Sequence, residues 1–383
     1  MLFNPKYDMK AIFILNSLAN VGGVERMLVD KANYLATNGW DIVFLTYEQG
    51  QHPIVYNLHS SIEHYDLDCR YFALYRYAIA KRFFKYLRLK KRFRHRLQDV
   101  ISKHHTQLLI TTTYCSEFLY DISAVCGDKV KTVIESHTAY AHDMVPHSMK
   151  ERFVLHHKLR AIRHYHLLVS LTESDAKSWR QQGINVIVIP DHVACYPEMM
   201  PQIKREEGRI IAVGRLHKQK RFDRLIDAFS LIASKYPQWH IDVYGRGTEK
   251  DELLKQIALK QLENRIFIHE PIDDIFSEYQ RSQFFVLSSD YEGFGLVIVE
   301  AMACGTPVIS TDCPFGPGEI IEDGVTGLLC EMDVNYLASK IEWMISHEKE
   351  RHEMGIKAYQ AVARFKKENV IKEWEKAYVS LIE

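Results

Sequence analysis

Two glutamates eight residues apart, Glu292 and Glu300, stand in the stretch FFVLSSDYEGFGLVIVEAMACGTPVISTDCPFGPGEII, Phe284 to Ile321. An apolar run of strand type, Phe284 to Leu287, leads into a turn that holds Asp290, Glu292, Gly293 and Gly295. A helix over Leu296 to Ala303 follows, Gly305 ends it, and Pro307 to Ser310 reads as a second strand. This order of strand, turn, helix and strand is half of a parallel α/β sheet. It sets both carboxylates at the edge where such sheets bind ligands, Glu292 in the loop and Glu300 about one turn into the helix. Gly293 and Gly295 let the backbone approach a ligand closely. The helix start, near Phe294, Gly295 and Leu296, offers free N–H groups and a positive dipole end to an anion. A pair of carboxylates could also serve as the acid and nucleophile of glycoside hydrolysis. The neighbouring elements that fit a nucleotide argue against that use.

The segment resembles the C-terminal signature of retaining glycosyltransferases of family 4, which have the GT-B architecture. Their Glu-x7-Glu pattern is present here as Glu292 and Glu300. The resemblance implies that Glu300 holds the ribose hydroxyls of a sugar nucleotide and Glu292 the hydroxyls of the donor sugar. It also implies that the backbone of Gly293, Phe294 and Gly295, with Leu296 beyond, faces the sugar and diphosphate. A second stretch, AVGRLHKQKRFDRLIDAF, Ala212 to Phe229, is similar to the family's strand–loop–helix that carries an arginine and a lysine. Those are Arg215 and Lys220, after Gly214. Two cations aimed at a departing diphosphate stabilise the transition state more than the ground state. The family usually has glycine after the lysine, where this chain has Arg221.

In the first half, Gly22 and Gly23 follow the first strand, in the place where the family sets a loop against the phosphates or the acceptor. His137, in TVIESHTAY, follows another strand and matches a histidine near the donor sugar in that family, with Glu135 as the alternative. The remaining histidines, His142 and His147 among them, lack ligand spacing, and no metal site is expected. Asp66-Leu67-Asp68 has the form of a metal-binding D-x-D, but GT-B enzymes do not use that motif.

The elements that must position these residues form two groups. Strands at 11–15, 41–46, 108–111, 131–135, 167–171 and 186–189, with a helix over 24–37, make a first Rossmann-like domain over 1–190. A linker is expected at 191–208, where Pro197 and Pro201 fall in a stretch without periodicity. Strands at 209–213, 240–244 and 266–268, together with the signature segment, make a second Rossmann-like domain over 209–362. The resemblance implies that the two domains face each other across a cleft, with the acceptor on the first and the nucleotide sugar on the second. It also implies that a last helix, 363–383, returns to pack on the first domain. The expected fold class is thus α/β, of GT-B type.

Composition narrows the class of molecule. The 383 residues carry 49 basic and 49 acidic side chains, so the whole chain has no bias toward polyanions. Seven scattered cysteines, without a C-x-x-C pair, point to reduced thiols and a cytoplasmic location. No apolar run approaches the roughly 20 residues of a membrane span. One segment departs from the average. Residues 70–96, RYFALYRYAIAKRFFKYLRLKKRFRHR, hold no acidic residue and interleave aromatics with cations. Phe72, Tyr75, Ile79, Phe83 and Leu87 share one helical face. Such a helix either lies on an anionic membrane surface or packs its aromatics into its own domain. Nucleic acid is not an expected partner, because no motif for it accompanies the charge.

The expected activity is retaining transfer of a hexosyl or N-acetylhexosaminyl unit from a UDP-sugar to a glycan or lipid-linked acceptor. It would proceed without a cofactor or metal, in surface polysaccharide or lipid-linked glycan synthesis. The alternatives are a nucleotide-sugar epimerase on the same scaffold and a non-catalytic subunit of this type.

Overall fold

The computed structural model describes residues 9–20, 22–140, 144, 148–201 and 204–383. His142 and His147 lie outside the described residues. Two compact units account for the chain: Met1–Leu171 with Asp175–Ile189 and Ile371–Glu383, and Thr172–Ser174 with Pro190–Val370.

The first unit is built on a seven-stranded sheet in the order β3-β2-β1-β4-β5-β6-β7. The strands are β1 Lys10–Leu15, β2 Asp41–Thr46, β3 Glu63–Asp66, β4 Leu108–Thr112, β5 Lys131–Ser136, β6 Leu167–Ser170 and β7 Val186–Val188. All are parallel. Strands buried on both faces read as near-continuous apolar runs, and β1, β2, β4 and β6 have that pattern, whereas β5, KTVIES, is buried but largely polar. The edge strand β3, EHYD, does not, and its sequence carries no strand signal. Helix α1, Gly23–Thr37, follows β1, and α2, Ile79–His104, precedes β4.

The second unit repeats the plan with six parallel strands in the order β10-β9-β8-β11-β12-β13. They are β8 Arg209–Val213, β9 His240–Tyr244, β10 Ile266–His269, β11 Phe284–Leu287, β12 Val308–Thr311 and β13 Leu328–Cys330. In each sheet the direction of winding reverses at one pair of neighbours, β1/β4 and β8/β11. Ligands bind beyond the carboxyl ends of strands at such a point. The residues singled out for chemistry follow β1, β5, β8 and β11.

The stretch expected as a linker, 191–208, is counted with the second unit. The Val193 N–H donates to the Phe365 carbonyl at 3.0 Å, and the Tyr196 hydroxyl to the Tyr359 carbonyl at 2.9 Å. Arg205 donates to the carbonyls of Ser282 and Gly305 at 2.6 and 2.8 Å and to Thr306 Oγ1 at 3.0 Å. These contacts satisfy backbone groups that prolines and loop geometry leave without ladder partners. The C-terminal helix, Lys367–Ile382, contributes its residues from Ile371 onward to the first unit.

Those residues enclose a buried charge. Glu135, at the end of β5, is fully buried and pairs with Lys31 of α1, itself 1% exposed. Lys31 Nζ sits 3.5 Å from the centroid of the Trp374 ring, and the Tyr378 hydroxyl donates to Glu135 Oε1 at 3.2 Å. Burial opposes ionisation of Glu135, but Lys31 and His137 outweigh it and hold the carboxyl below its ordinary value. A depressed carboxyl pKa contributes stability that is fully present above the unfolded value, about 4.3, and is lost as pH falls through the folded one. Melting temperature should therefore hold steady above about pH 5 and fall on acidification. Glu135→Gln should lower it at pH 7 and flatten the acid limb. An unchanged acid limb in calorimetric scans of the variant would assign the acid sensitivity elsewhere.

Candidate active site

The loops after β8 and β11 meet because these strands are hydrogen-bonded neighbours in the sheet. From β8 the chain passes Gly214 and Arg215, makes a short 3-10 turn over Lys218–Lys220, and enters the helix Phe222–Ile232. From β11 it passes Ser288, Ser289 and Asp290 before Glu292. The contact between the loops is a buried ion pair. Lys220 Nζ lies 2.7 and 3.0 Å from the two carboxylate oxygens of Glu292. The lysine and glutamate side chains are 11% and 7% exposed. Ser289 Oγ donates to Glu292 Oε1 at 2.5 Å. The stem of Lys220 runs over Gly214, where an added Cβ would lie 3.4 Å from it.

The backbone around the pair is tied at several points. The Asp290 N–H donates to the Gln219 carbonyl at 2.9 Å, Ser288 Oγ donates to the Lys220 carbonyl at 2.9 Å, and Gln219 Nε2 donates to the Tyr291 carbonyl at 2.8 Å. Arg221 has φ of 49°, in the left-handed region that costs a residue with a Cβ. Glycine, the residue expected here from the resemblance, would meet no such cost. In this chain the arginine side chain is engaged by Asp223 and Asp290, with Nη1 3.1 Å from Asp290 Oδ1. Arg224 reaches the same carboxylate at 2.6 Å. The departure at Arg221 thus leaves the Lys220 loop ordered.

The turn after Glu292 leads into the start of the helix Leu296–Ala303. Gly295 caps it with φ of 98°. The first N–H groups of a helix have no intrahelical acceptor. The loop Cys313–Gly318 packs closely behind. Gly316 has φ of 101°, and a Cβ there would fall 1.9 Å from the Phe294 carbonyl oxygen. The Phe294 ring is buried against Phe365, with centroids 5.3 Å apart, so this residue can offer a ligand only its backbone. Glu300, half-buried in the same helix, accepts a 3.3 Å hydrogen bond from the hydroxyl of Tyr279. Burial, and then the charge of Glu300, pushes the Tyr279 phenol well above its ordinary value, so it stays a donor.

The structure brings Lys220, Glu292 and Gly214 together and places Gly293, Gly295, Leu296 and Glu300 on the turn and helix that follow. Arg215 shares the loop of Lys220, but its exposed guanidinium makes no hydrogen bond or ion pair among the described residues. Gly22, Gly23 and His137 belong to the first unit. Gly22 caps α1 in extended geometry that any residue can adopt, and its N–H donates to the Tyr56 hydroxyl at 2.8 Å. A Cβ on Gly23 would meet open space. His137 Nε2 is 2.9 Å from Glu135 Oε2, so the two candidates at this strand end act as one hydrogen-bonded group. Asp66 and Asp68 are structural: Asp66 Oδ2 accepts from the Gly50 N–H at 2.9 Å, and Asp68 meets Arg70, Arg92 and Arg96. Among the described residues no cluster of three or more His, Cys, Asp and Glu has the arrangement of a metal site.

Ser289, Tyr279 and Lys31 escaped the reading of the sequence. Lys31 alone left a trace, since it falls four residues after Met27 on the buried stripe of α1. Ser289 and Tyr279 act across the fold and have no local pattern.

Removing one member of the buried pair leaves the other charged and desolvated. Lys220→Met and Glu292→Leu should each destabilise the second unit by about 3 kcal/mol. The double variant should recover most of that loss. Melting temperatures of the three variants check this; strictly additive losses would show that the two side chains do not interact.

Residues 199–361 match the family described as Glycosyl transferases group 1. The amylovoran biosynthesis glycosyltransferase AmsD of Erwinia amylovora is 25% identical over 376 residues, covering 95% of this chain and 98% of that protein. Among solved structures, TarM superposes with a TM-score of 0.82 at 15% identity, covering 99% of this chain and 100% of that one. HepE of Anabaena, solved with UDP and glucose, superposes with a TM-score of 0.74 at 20% identity, covering 97% and 100%. The chain thus has the two Rossmann-like units of a GT-B protein, and its residues 199–361 are a glycosyl transferases group 1 domain.

Proposed function

We propose that the chain is a retaining glycosyltransferase of family 4 that moves a hexosyl or N-acetylhexosaminyl unit from a UDP-sugar to an acceptor hydroxyl. The observation that carries this reading is the Lys220–Glu292 pair beside the start of the helix Leu296–Ala303. The donor's diphosphate offers Lys220 an anionic partner in place of Glu292. Glu292, so released, accepts hydrogen bonds from hydroxyls of the donor sugar, while Glu300 takes those of the ribose. Arg215, uncommitted among the described residues, adds a second cation. The helix start adds backbone N–H groups.

These groups meet the charge that grows on the leaving diphosphate, and the reaction proceeds without a metal or other cofactor. The acceptor hydroxyl attacks from the face that the diphosphate leaves, and a diphosphate oxygen takes its proton. No protein nucleophile is required, because Glu292 is engaged by the sugar. In the first unit, His137, braced by Glu135, and the Gly22–Gly23 loop are the candidates that the resemblance supplies. The UDP and glucose bound to HepE support the class of donor. The polysaccharide role in the name of AmsD supports an acceptor in surface polysaccharide or lipid-linked glycan synthesis. No helix among the described residues is long and apolar enough to cross a membrane. We place the enzyme in the cytoplasm, at the membrane face that presents a lipid-linked acceptor.

Incubation with UDP-Glc, UDP-Gal, UDP-GlcNAc and UDP-GalNAc and a panel of lipid-linked glycans tests the reading. One donor should give a product whose anomeric proton couplings match those of the donor, and Lys220→Ala should slow it about 100-fold or more. An inverted product would refute retention. Conversion of the sugar nucleotide without acceptor would favour an epimerase, and no turnover of any donor would favour a non-catalytic role.

A further inference from the structure

Helix α2 is the largest feature of the first unit that the proposed chemistry leaves unused. Its C-terminal half is anchored. Phe93, Leu97 and Ile101 are buried, Phe93 stacks on Phe118 at 4.0 Å, and Lys90 and Arg94 meet the buried Asp121. The apolar seam that ends in Leu97 and Ile101 continues into the N-terminal half as Ile79, Phe83 and Leu87, and there it is bare. These three are 85%, 57% and 47% exposed. Phe84, and Phe72 and Tyr75 of the 3-10 turn Tyr71–Arg76, are exposed as well. Folded chains seldom leave so many large apolar side chains together in water without a partner.

The charge of the same segment identifies that partner. Residues 70–96 hold eleven Lys and Arg and no Asp or Glu. Near the anchored half, Asp121 and Asp68 take up several of these cations. In the bare half, Lys81 and Lys85 lie over the Tyr77 ring at 5.5 and 4.1 Å, and Arg82 over the Tyr75 ring at 4.8 Å. None of Lys81, Arg82, Lys85 and Arg88 pairs with a carboxylate among the described residues. Between the 3-10 turn and α2 lies a cavity of about 490 Å³, lined by Arg70, Tyr77, Lys85, Arg88 and Arg92 with the single carboxylate of Asp68. Four cations against one carboxylate leave it positive.

We propose that this segment docks on an anionic lipid bilayer. The exposed rings of the turn and of α2 enter the headgroup region, and the basic cavity takes a lipid phosphate. The proposal shares with the glycosyltransferase reading only the lipid carrier of the acceptor. Its test uses vesicles that hold neither donor nor acceptor, so each can fail without the other.

The experiment is flotation of the full chain with vesicles of phosphatidylcholine alone or of phosphatidylcholine with roughly one third phosphatidylglycerol, whose negative surface potential attracts basic segments. The wild type should float with the anionic vesicles only. Lys85→Ala/Arg88→Ala should lower its partition roughly thirtyfold, about fivefold for each cation. Lys129→Ala/Lys177→Ala, which removes the same charge from exposed positions elsewhere in the first unit, should have little effect. Phe83→Ser/Phe84→Ser/Leu87→Ser alters only exposed side chains, so it should keep its melting temperature while losing flotation. Failure of the wild type to float, or equal losses for the two lysine/arginine pairs, overturns the proposal. So does a self-associated wild type that the triple serine variant turns monomeric with no change in flotation, since a second copy would then be the occupant.

Discussion

The contact of Lys220 with Glu292 ties together the loops that follow β8 and β11 in the second unit. The two residues are 72 positions apart, and they meet because β8 and β11 lie side by side where the sheet changes its direction of winding. A buried ion pair is seldom a net source of stability, because desolvation offsets much of the attraction. Its presence at a strand end therefore calls for another reason, and the reason offered here is exchange. In the proposed function each partner would hold the other in place until a donor supplies a phosphate for the lysine and hydroxyls for the glutamate. The surrounding bonds from Ser289, Gln219 and Ser288 keep both loops in register, and Arg221 and Arg224 clamp Asp290 between them.

The first unit uses a similar device for a different end. Glu135 is enclosed by Lys31, Tyr378 and His137, with the Trp374 ring against the lysine. Three separate parts of the chain, α1, β5 and the C-terminal helix, converge on one carboxylate. His137 thereby inherits a fixed orientation at its Nε2 side. The cost of burying this charge is shared by bonds that also fasten the C-terminal helix to the sheet. The positioning of His137 and the docking of that helix are in this sense one interaction.

Much of this was legible in the sequence, and the physical reason is the parallel sheet. Strands covered on both faces must be apolar throughout, so β1, β2, β4, β8 and β11 stand out from their surroundings. The turn glycines marked the break between β11 and the helix Leu296–Ala303 in the same way. Edge elements were illegible: β3 is EHYD and β13 only LLC, too short or too polar to show a period. The partner of Lys220 could not be read either, since no local pattern links residues on different strands. Helix α2 presents the opposite case. Its apolar seam was plain, but one seam serves as core near Leu97 and as bare surface near Phe83, and only the fold divides the two.

The exchange account is tested most directly by calorimetric titration of UDP into the wild type, Lys220→Ala and Glu292→Gln. UDP carries the diphosphate but no sugar. Lys220→Ala should therefore weaken binding by about tenfold or more, the loss of one charged hydrogen bond of roughly 1.5–3 kcal/mol. Glu292→Gln should bind UDP as well as the wild type does, or better, because its lysine is no longer neutralised. Wild-type affinity in Lys220→Ala, or a loss of UDP binding in Glu292→Gln with its melting temperature intact, would contradict the division of roles between the two side chains.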